Sequence, residues 1–361
     1  MNKNDIIVNY GTNTIKMTTE LLEAVKLEEL LGENKSQRIG LKPNLVVASP
    51  ADGGGTSHPE MLEATIMYLQ KRGYNNITII EGSWVGDRTD AAYRICGFYA
   101  LAKKYKVDII DTQKDTYKSY NCAGLKMDIC DSAMALDFLI SYPVLKGHCQ
   151  TVMTCALKNM KGLIPNKEKR HFHSMGLNKP IAHLNTKLKA GLILVDGICG
   201  DLDFEEGGNP VPMHRVMAAL DPVLCDSYAC ELMGIDPNEV AYIGMAEKLG
   251  VGKMSGENVI TLNEPEKTGH AGKTSRRVAS LAKKADAKDA CSACYGALIH
   301  ALARMDEYGE LGRIPGKVSI GQGFKGEHGK IGIGKCTKDF DMCCMGCPPK
   351  ASDILRFLEE L

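Results

Sequence analysis

The stretch "RIGLKPNLVVASPADGGGTSHPEMLEATIMYLQKRGYNNITIIEGS", residues 38–83, decides the fold. Its opening, "RIGLKPNLVV" (38–47), is an apolar, β-branched run that breaks at a Pro-Asn pair, as a buried strand entering a loop does. "SHPEMLEATIMYLQKRG" (57–73) places apolar residues at helical spacing and stops at Gly73. "NITIIEGS" (76–83) returns to a short buried strand. Strand, helix, strand is the βαβ unit, which needs a parallel sheet covered by helices.

The alternation extends in both directions. "DIIVN" (5–9) reads as a strand and "MTTELLEAVKLEELL" (17–31) as a helix. Downstream come a helix over 91–105, a strand over 107–112, the strand "FLISYPVLKG" (138–147) and the helix "TVMTCALKNMKGLI" (151–164). A helix over 181–189 feeds the apolar strand "AGLILVDGI" (190–198). Helices follow over 221–235, where Asp221 is a good N-cap before Pro222, and over 239–250; "NVITLNE" (258–264) closes the region. The expected fold is α/β: an open, mostly parallel sheet with flanking helices over residues 1–264. A polar, basic linker spans 265–285, and residues 286–361 form a small C-terminal cluster-binding segment. That segment reads as a helix across 286–309, two short strands in "KVSIGQG" and "GKIGIGK", and a final helix. Two strands are too few for a stable sheet, so the segment is expected to dock on the α/β region.

The chain has 361 residues with 44 Lys plus Arg against 44 Asp plus Glu, so its formal charge is zero. That balance argues against a nucleic-acid coat or an anionic-membrane binder, and one Trp among 6% aromatics gives no stacking platform for bases. No secretory signal and no apolar run of transmembrane length is seen, so the expected location is cytoplasmic. Its 14 cysteines are then expected to be thiols or metal ligands.

Six of them lie in "CSACYGALIHAL" (291–302) and "CTKDFDMCCMGCPP" (336–349). Thiolates converging from two such stretches suit an iron–sulfur cluster, structural zinc or metal-free thiols. Iron–sulfur is favoured by the Cys347-Pro348 step, by Gly346 allowing close backbone approach, by the glycine-spaced strand delivering Cys336, and by the apolar helix after Cys294. The ligands chosen for a [4Fe-4S] cluster are Cys291, Cys294, Cys336 and Cys347, with Cys343 and Cys344 as rivals. The eight scattered cysteines read as small core residues.

The C-terminal pairing of C-x-x-C with "GCPP" is locally similar to the cluster-binding ends of hydrogenase small subunits and quinone-oxidoreductase B subunits. Across nearly the whole chain, "GLKPNLV", "TSHPE", "EGS", "MTCALKNMKG", "VDGI" and "DPVLCDSYACELMGI" resemble the DUF362 family of iron–sulfur proteins. The resemblance implies a fold, a cluster and an anaerobic setting; it implies no reaction.

Ligands of open parallel sheets bind at the carboxyl ends of the strands. Lys42 and Asn44 follow one strand here, Glu81 another, and Lys146, His148 and Thr151 a third. Residues 146–173 carry Lys146, Lys158, Lys161, Lys167, Lys169 and Arg170 with three histidines against one acid, Glu168. This basic stretch reads as a pocket for a small anionic substrate or cofactor, or as a solvated helix face. Lys158, His148 and Asp226 are the candidate catalytic residues; Lys42, Asn44, His58, Thr151 and Asn159 are the candidate substrate-binding ones. Three glycines before Ser57-x-x-Glu60 read as a loop leading into a capping box, a candidate anion site. The acid-rich "DGICGDLDFEEGG" (196–208) reads as a turn. His171-x-His173 is a weak metal pair, since alternate helical positions diverge.

Three functions compete: a redox enzyme of anaerobic metabolism, a Lewis-acid enzyme using the cluster without redox change, and an electron-transfer module or sensor without its own substrate. A ferredoxin or flavoprotein electron donor is the expected partner; nucleic acid and membrane are not.

Overall fold

The computed structural model describes residues 1–264 and 277–361. The chain divides into two compact units, Met1–Lys169 with Asn178–Lys273, and Arg170–Leu177 with Thr274–Leu361. The strands of the first unit are β1 (Asp5–Tyr10), β2 (Ile39–Lys42), β3 (Ile77–Glu81), β4 (Asp108–Asp111), β5 (Tyr117–Cys122) and β6 (Leu125–Cys130). They continue with β7 (Phe138–Ser141), β8 (Lys146–His148), β9 (Val152–Thr154), β10 (Leu192–Asp201), β11 (Pro210–Ala219) and β12 (Asn258–Thr261). The second unit holds β13 (Ala285–Ala287), β14 (Val318–Ile320), β15 (Ile331–Ile333) and β16 (Met342–Cys344).

Eight strands form the main sheet, in the order β12-β1-β11-β10-β7-β2-β3-β4. β10, β7, β2, β3 and β4 run parallel, and β11 alone is antiparallel to both its neighbours, β1 and β10. The fold is therefore α/β with a mostly parallel sheet. Helices Thr14–Val25 and Pro59–Lys71 bury Leu21, Leu22, Val25, Met61, Leu62, Ile66 and Leu69 against Ile39, Leu41, Ile77 and Ile79 of the sheet. Fully burying each such side chain is worth about 1.5–3 kcal/mol, and both helices owe their amphipathic spacing to that face.

Several sequence expectations are corrected. The strand expected over 138–147 stops at Ser141 and resumes as β8, interrupted at Pro143, which has no N–H to give a ladder. The helix expected over 151–164 is a hairpin strand, β9, then a short helix Ala156–Asn159 and a 3-10 turn Met160–Leu163. Val152, the first residue of β9 and the partner of His148, follows the hairpin turn at φ +69°, and Cys155, at φ −153°, is the N-cap of the short helix. The antiparallel strand β11 and the β5–β6 hairpin were not anticipated.

The capping box is also absent. His58 is the N-cap of helix Pro59–Lys71 and its side chain makes no cap bond. Ser57 Oγ instead donates to Tyr142 O at 2.7 Å and accepts from Asn44 N at 2.8 Å. The preceding glycines pack loop against loop: Asp201 N donates to Gly54 O at 3.1 Å and Gly208 N to Gly53 O at 2.9 Å. A Cβ on Gly55 would lie 2.3 Å from Glu206 O, so only glycine allows that approach.

In the second unit β13, β14, β15 and β16 form one parallel sheet in chain order. This is a four-stranded sheet, not the two strands expected, because 285–287 and 342–344 also pair. The helix expected across 286–309 starts at Ser292 and ends at Glu307. The last helix, Ala351–Glu359, buries Ile354 and Leu358. The segment 265–276, the expected start of the linker, lies outside the described residues. Among the described residues no helix is long and apolar enough to cross a membrane.

Candidate functional site

The carboxyl ends of β2, β3 and β7 and the hairpin β8–β9 carry a buried polar network. Lys42 Nζ, at the end of β2, lies 2.5 Å from Glu81 Oε2 at the end of β3, and also donates to Asn159 Oδ1 at 3.1 Å and Pro43 O at 3.0 Å. Asn159 Oδ1 accepts as well from Asn44 Nδ2 at 3.0 Å, and Asn159 Nδ2 donates to Ser141 Oγ at 2.9 Å. Asn44 Oδ1 accepts from Lys146 Nζ at 2.8 Å. Lys146 then donates to Gly55 O at 2.5 Å and Glu205 O at 2.7 Å. Glu205 Oε2 lies 2.5 Å from Lys158 Nζ and 2.9 Å from His148 Nε2. Lys42, Lys146, His148, Lys158, Asn159 and Glu205 are all buried.

Five of the candidate residues thus share one network: Lys42, Asn44, His148, Lys158 and Asn159. Thr151 borders it: its N–H donates to His148 Nδ1 at 3.0 Å, as does that of Gln150. With Nδ1 accepting, the neutral ring carries its proton on Nε2, towards Glu205. Glu205 belongs to the acid-rich stretch read as a turn. Its distance in sequence from Lys158 left no signal of the pair, and Lys146 shows no local sign of its burial.

Burial governs the electrostatics. It lowers Lys42, and it lowers Lys146 to about 7 and His148 to about 4, with Glu205 opposing in the latter two. Burial alone would raise Glu205, but His148 and Lys158 outweigh it and hold the carboxyl well below the usual range. Lys42 and Lys158 each meet a carboxylate, whereas the hydrogen bonds of Lys146 run to three carbonyl oxygens. A buried amine near neutrality can gain or lose a proton at modest cost. Lys169, also buried, donates to Gly82 O and Ser83 O, and burial lowers it to about 8.

His58 and Asp226 lie in other settings. His58 Nδ1 is 2.9 Å from Asp196 Oδ2, and Asp196 also accepts from the His58 N–H at 2.7 Å. Burial works against charging His58, but Asp196 and then Cys199 outweigh it and raise the ring to about 11. Asp226 accepts from Ala156 N at 2.6 Å and Leu157 N at 3.1 Å. It caps the short helix that carries Lys158 and Asn159, so its oxygens position that helix. Burial raises its carboxyl to about 7.

The second unit gathers its thiols at one edge. Cys291 and Cys294 follow β13, Cys336 follows β15 and Cys347 follows β16, so all four lie beyond the carboxyl ends of parallel strands. Gly334 N donates to Cys344 O and Lys335 N to Gly346 O, both at 2.8 Å, which ties together the loops bearing Cys336 and Cys347. Gly346, at φ +150°, leaves no room for a side chain: a Cβ would lie 2.4 Å from Pro349 Cα. Gln322, in the loop after β14, donates to Cys291 Sγ at 3.6 Å. Cys294 is raised to about 12 by burial and then by Cys291, Cys347 and Cys336. Cys343 turns to Gly334 O and Thr337.

A tetrahedral zinc ion with bonds of about 2.3 Å draws its sulfurs to about 3.8 Å from one another. Among the described residues, the one group of three His, Cys, Asp or Glu with all ligand atoms within 4.8 Å is Cys155, Cys225 and Asp226. Asp226 there already serves the helix N–H groups. No three of the C-terminal thiols meet that limit among the described residues, and an all-thiol donor set fits an iron–sulfur cluster as well as structural zinc.

The profile of the domain of unknown function DUF362 matches residues 39–231, and the chain belongs to that family. It is similar to the thylakoid-associated protein sll1697 of Synechocystis sp., with 23% identity over 239 residues, 63% of this chain and 73% of that protein. Among solved structures, the lactate racemase apoprotein from Thermoanaerobacterium thermosaccharolyticum matches at a TM-score of 0.42 and 15% identity, over 63% of this chain and 57% of that one. A Thermotoga maritima protein matches at 0.39 and 15%, over 62% and 60%. The chain spans less than two thirds of either solved structure.

Proposed function

We propose that the protein is an iron–sulfur redox enzyme of anaerobic metabolism. Cys291, Cys294, Cys336 and Cys347 hold a [4Fe-4S] cluster, and the first unit binds a small anionic substrate or cofactor at Lys42, Asn44, Lys146, Lys158 and Asn159. The observation that carries the reading is the placement of four separate thiols at the carboxyl edge of one parallel sheet, where such sheets present their ligands. The cluster supplies single electrons. Lys146 and Lys158 hold the ligand's negative charge, and Lys146, near neutrality, passes a proton. A ferredoxin or flavoprotein refills the cluster, in the cytoplasm.

Anaerobic purification tests it. Brown protein with about four iron and four sulfide per chain is expected for one cubane. Stoichiometric zinc without sulfide overturns the reading.

A further inference from the structure

We propose that Gln322 raises the reduction potential of the metal centre in the second unit by donating its side-chain amide to the sulfur of Cys291. The inference rests on the reading of that centre as an iron–sulfur cluster and assigns one residue that tunes it.

The backbone brings Gln322 to its place. The loop after β14 is fastened to the segment that delivers Cys291: Gln322 N donates to Asp289 O at 3.2 Å, Gly323 N to Lys288 O at 3.0 Å, and Lys288 N to Ile320 O at 3.0 Å. Gly321, at φ +124°, makes the approach possible, since a Cβ there would lie 1.9 Å from Lys288 O. Lys288 in turn places Nζ 4.4 Å from the centre of the Phe324 ring. The 3-10 turn Gln322–Phe324 therefore lies against residues 288–290, and Cys291 is the next residue.

The side chain is held at both ends. Gln322 Oε1 accepts from Lys325 Nζ at 3.3 Å. Nε2 donates to Arg170 O at 3.4 Å and to Cys291 Sγ at 3.6 Å. An ammonium can only donate and a carbonyl can only accept, so these two partners fix which way the amide points: oxygen towards Lys325, nitrogen towards Cys291. Arg170, Cys291, Gln322 and Lys325 all belong to the second unit.

A metal-bound cysteine is a thiolate, and a hydrogen bond to an ionised acceptor is the stronger kind. Reduction adds one electron, and with it one negative charge, to the centre; no bond is made or broken and no proton moves. Part of that charge falls on the ligand sulfurs. An N–H already aimed at one of them stabilises the reduced state more than the oxidised one, which raises the potential.

The test uses the full chain, purified anaerobically as wild type, Gln322→Met and Gln322→Glu. Methionine keeps the length and removes the donor; glutamate keeps the shape and replaces the donor with a charged acceptor. Iron and sulfide are assayed first, and the midpoint potential is then read from the visible absorbance during a dithionite titration. All three proteins are expected to hold about four iron. The potential is expected to fall in Gln322→Met and to fall further in Gln322→Glu. A full cluster with an unchanged potential in Gln322→Met overturns the inference and leaves the cluster reading standing. Loss of iron from both variants also overturns it, because Gln322 would then support the fold of the site. Zinc without sulfide in the wild type overturns the cluster reading and this inference with it. Should one variant alone lose its iron, the potential of the other decides.

Discussion

Lys42 and Glu81 end adjacent parallel strands, and their side chains meet at 2.5 Å with almost no exposure to water. Such a pair is held by mutual need. Removing one partner strands a buried charge, while removing both restores an apolar contact.

Lys42→Met is therefore expected to destabilise the first unit by about 3–5 kcal/mol. Lys42→Met with Glu81→Leu should recover most of that loss. Urea denaturation of both variants and of the wild type checks the sign of the coupling; an equal or greater loss in the double variant would show that the pair is not what the strand ends depend on.

His148 sets a pH dependence. Its folded value, about 4, lies below the ordinary 6.5, so the unfolded chain binds the proton first as pH falls. Stability is full above about 6.5 and drains between there and about 4, by roughly 3 kcal/mol. Glu205, held low in the folded state, acts in the same direction at more acid pH. Denaturant titrations at pH 7, 6, 5 and 4 should show this slope, and His148→Gln should flatten it above pH 5.

Gly55→Ala is expected to lower stability by about 1–3 kcal/mol, because its methyl meets Glu206 O at 2.3 Å. Thermal melts measure it. Alanine at Gly73, where nothing lies within 4 Å of the added carbon but φ is +86°, isolates the conformational cost alone.

Ligand identity is checked by iron and sulfide assay of anaerobically purified variants. Alanine at Cys291, Cys294, Cys336 or Cys347 should reduce iron from about four per chain to below about one. Cys343→Ala and Cys225→Ala should retain it. A full cluster in Cys347→Ala would transfer its role to a neighbouring thiol.

The sequence disclosed what is local. Helical spacing and the Asp221 cap located helix Pro222–Leu232, where Asp221 Oδ1 accepts from Val223 N and Leu224 N. The alternation around residues 38–83 foretold the parallel half of the sheet. Long-range choices were hidden. β11 was not read as a strand, since Pro210 and Pro212 weaken the pattern; it forms because its apolar half, Val216–Ala219, is buried between β1 and β10. Residues 151–164 had helical spacing, but the hairpin β8–β9 claimed their first third. The same holds for the network. Lys42 and Asn44 were found from a strand end and Asn159 from the basic stretch, whereas the pairing of Lys158 with Glu205 and of His58 with Asp196 depends on which loops the sheet brings together.

The four strands of the second unit stand side by side in the order in which they are synthesised. Cys291 follows the first of them and Cys347 the last, so any metal centre that uses all four thiols can be completed only once all four strands have been made.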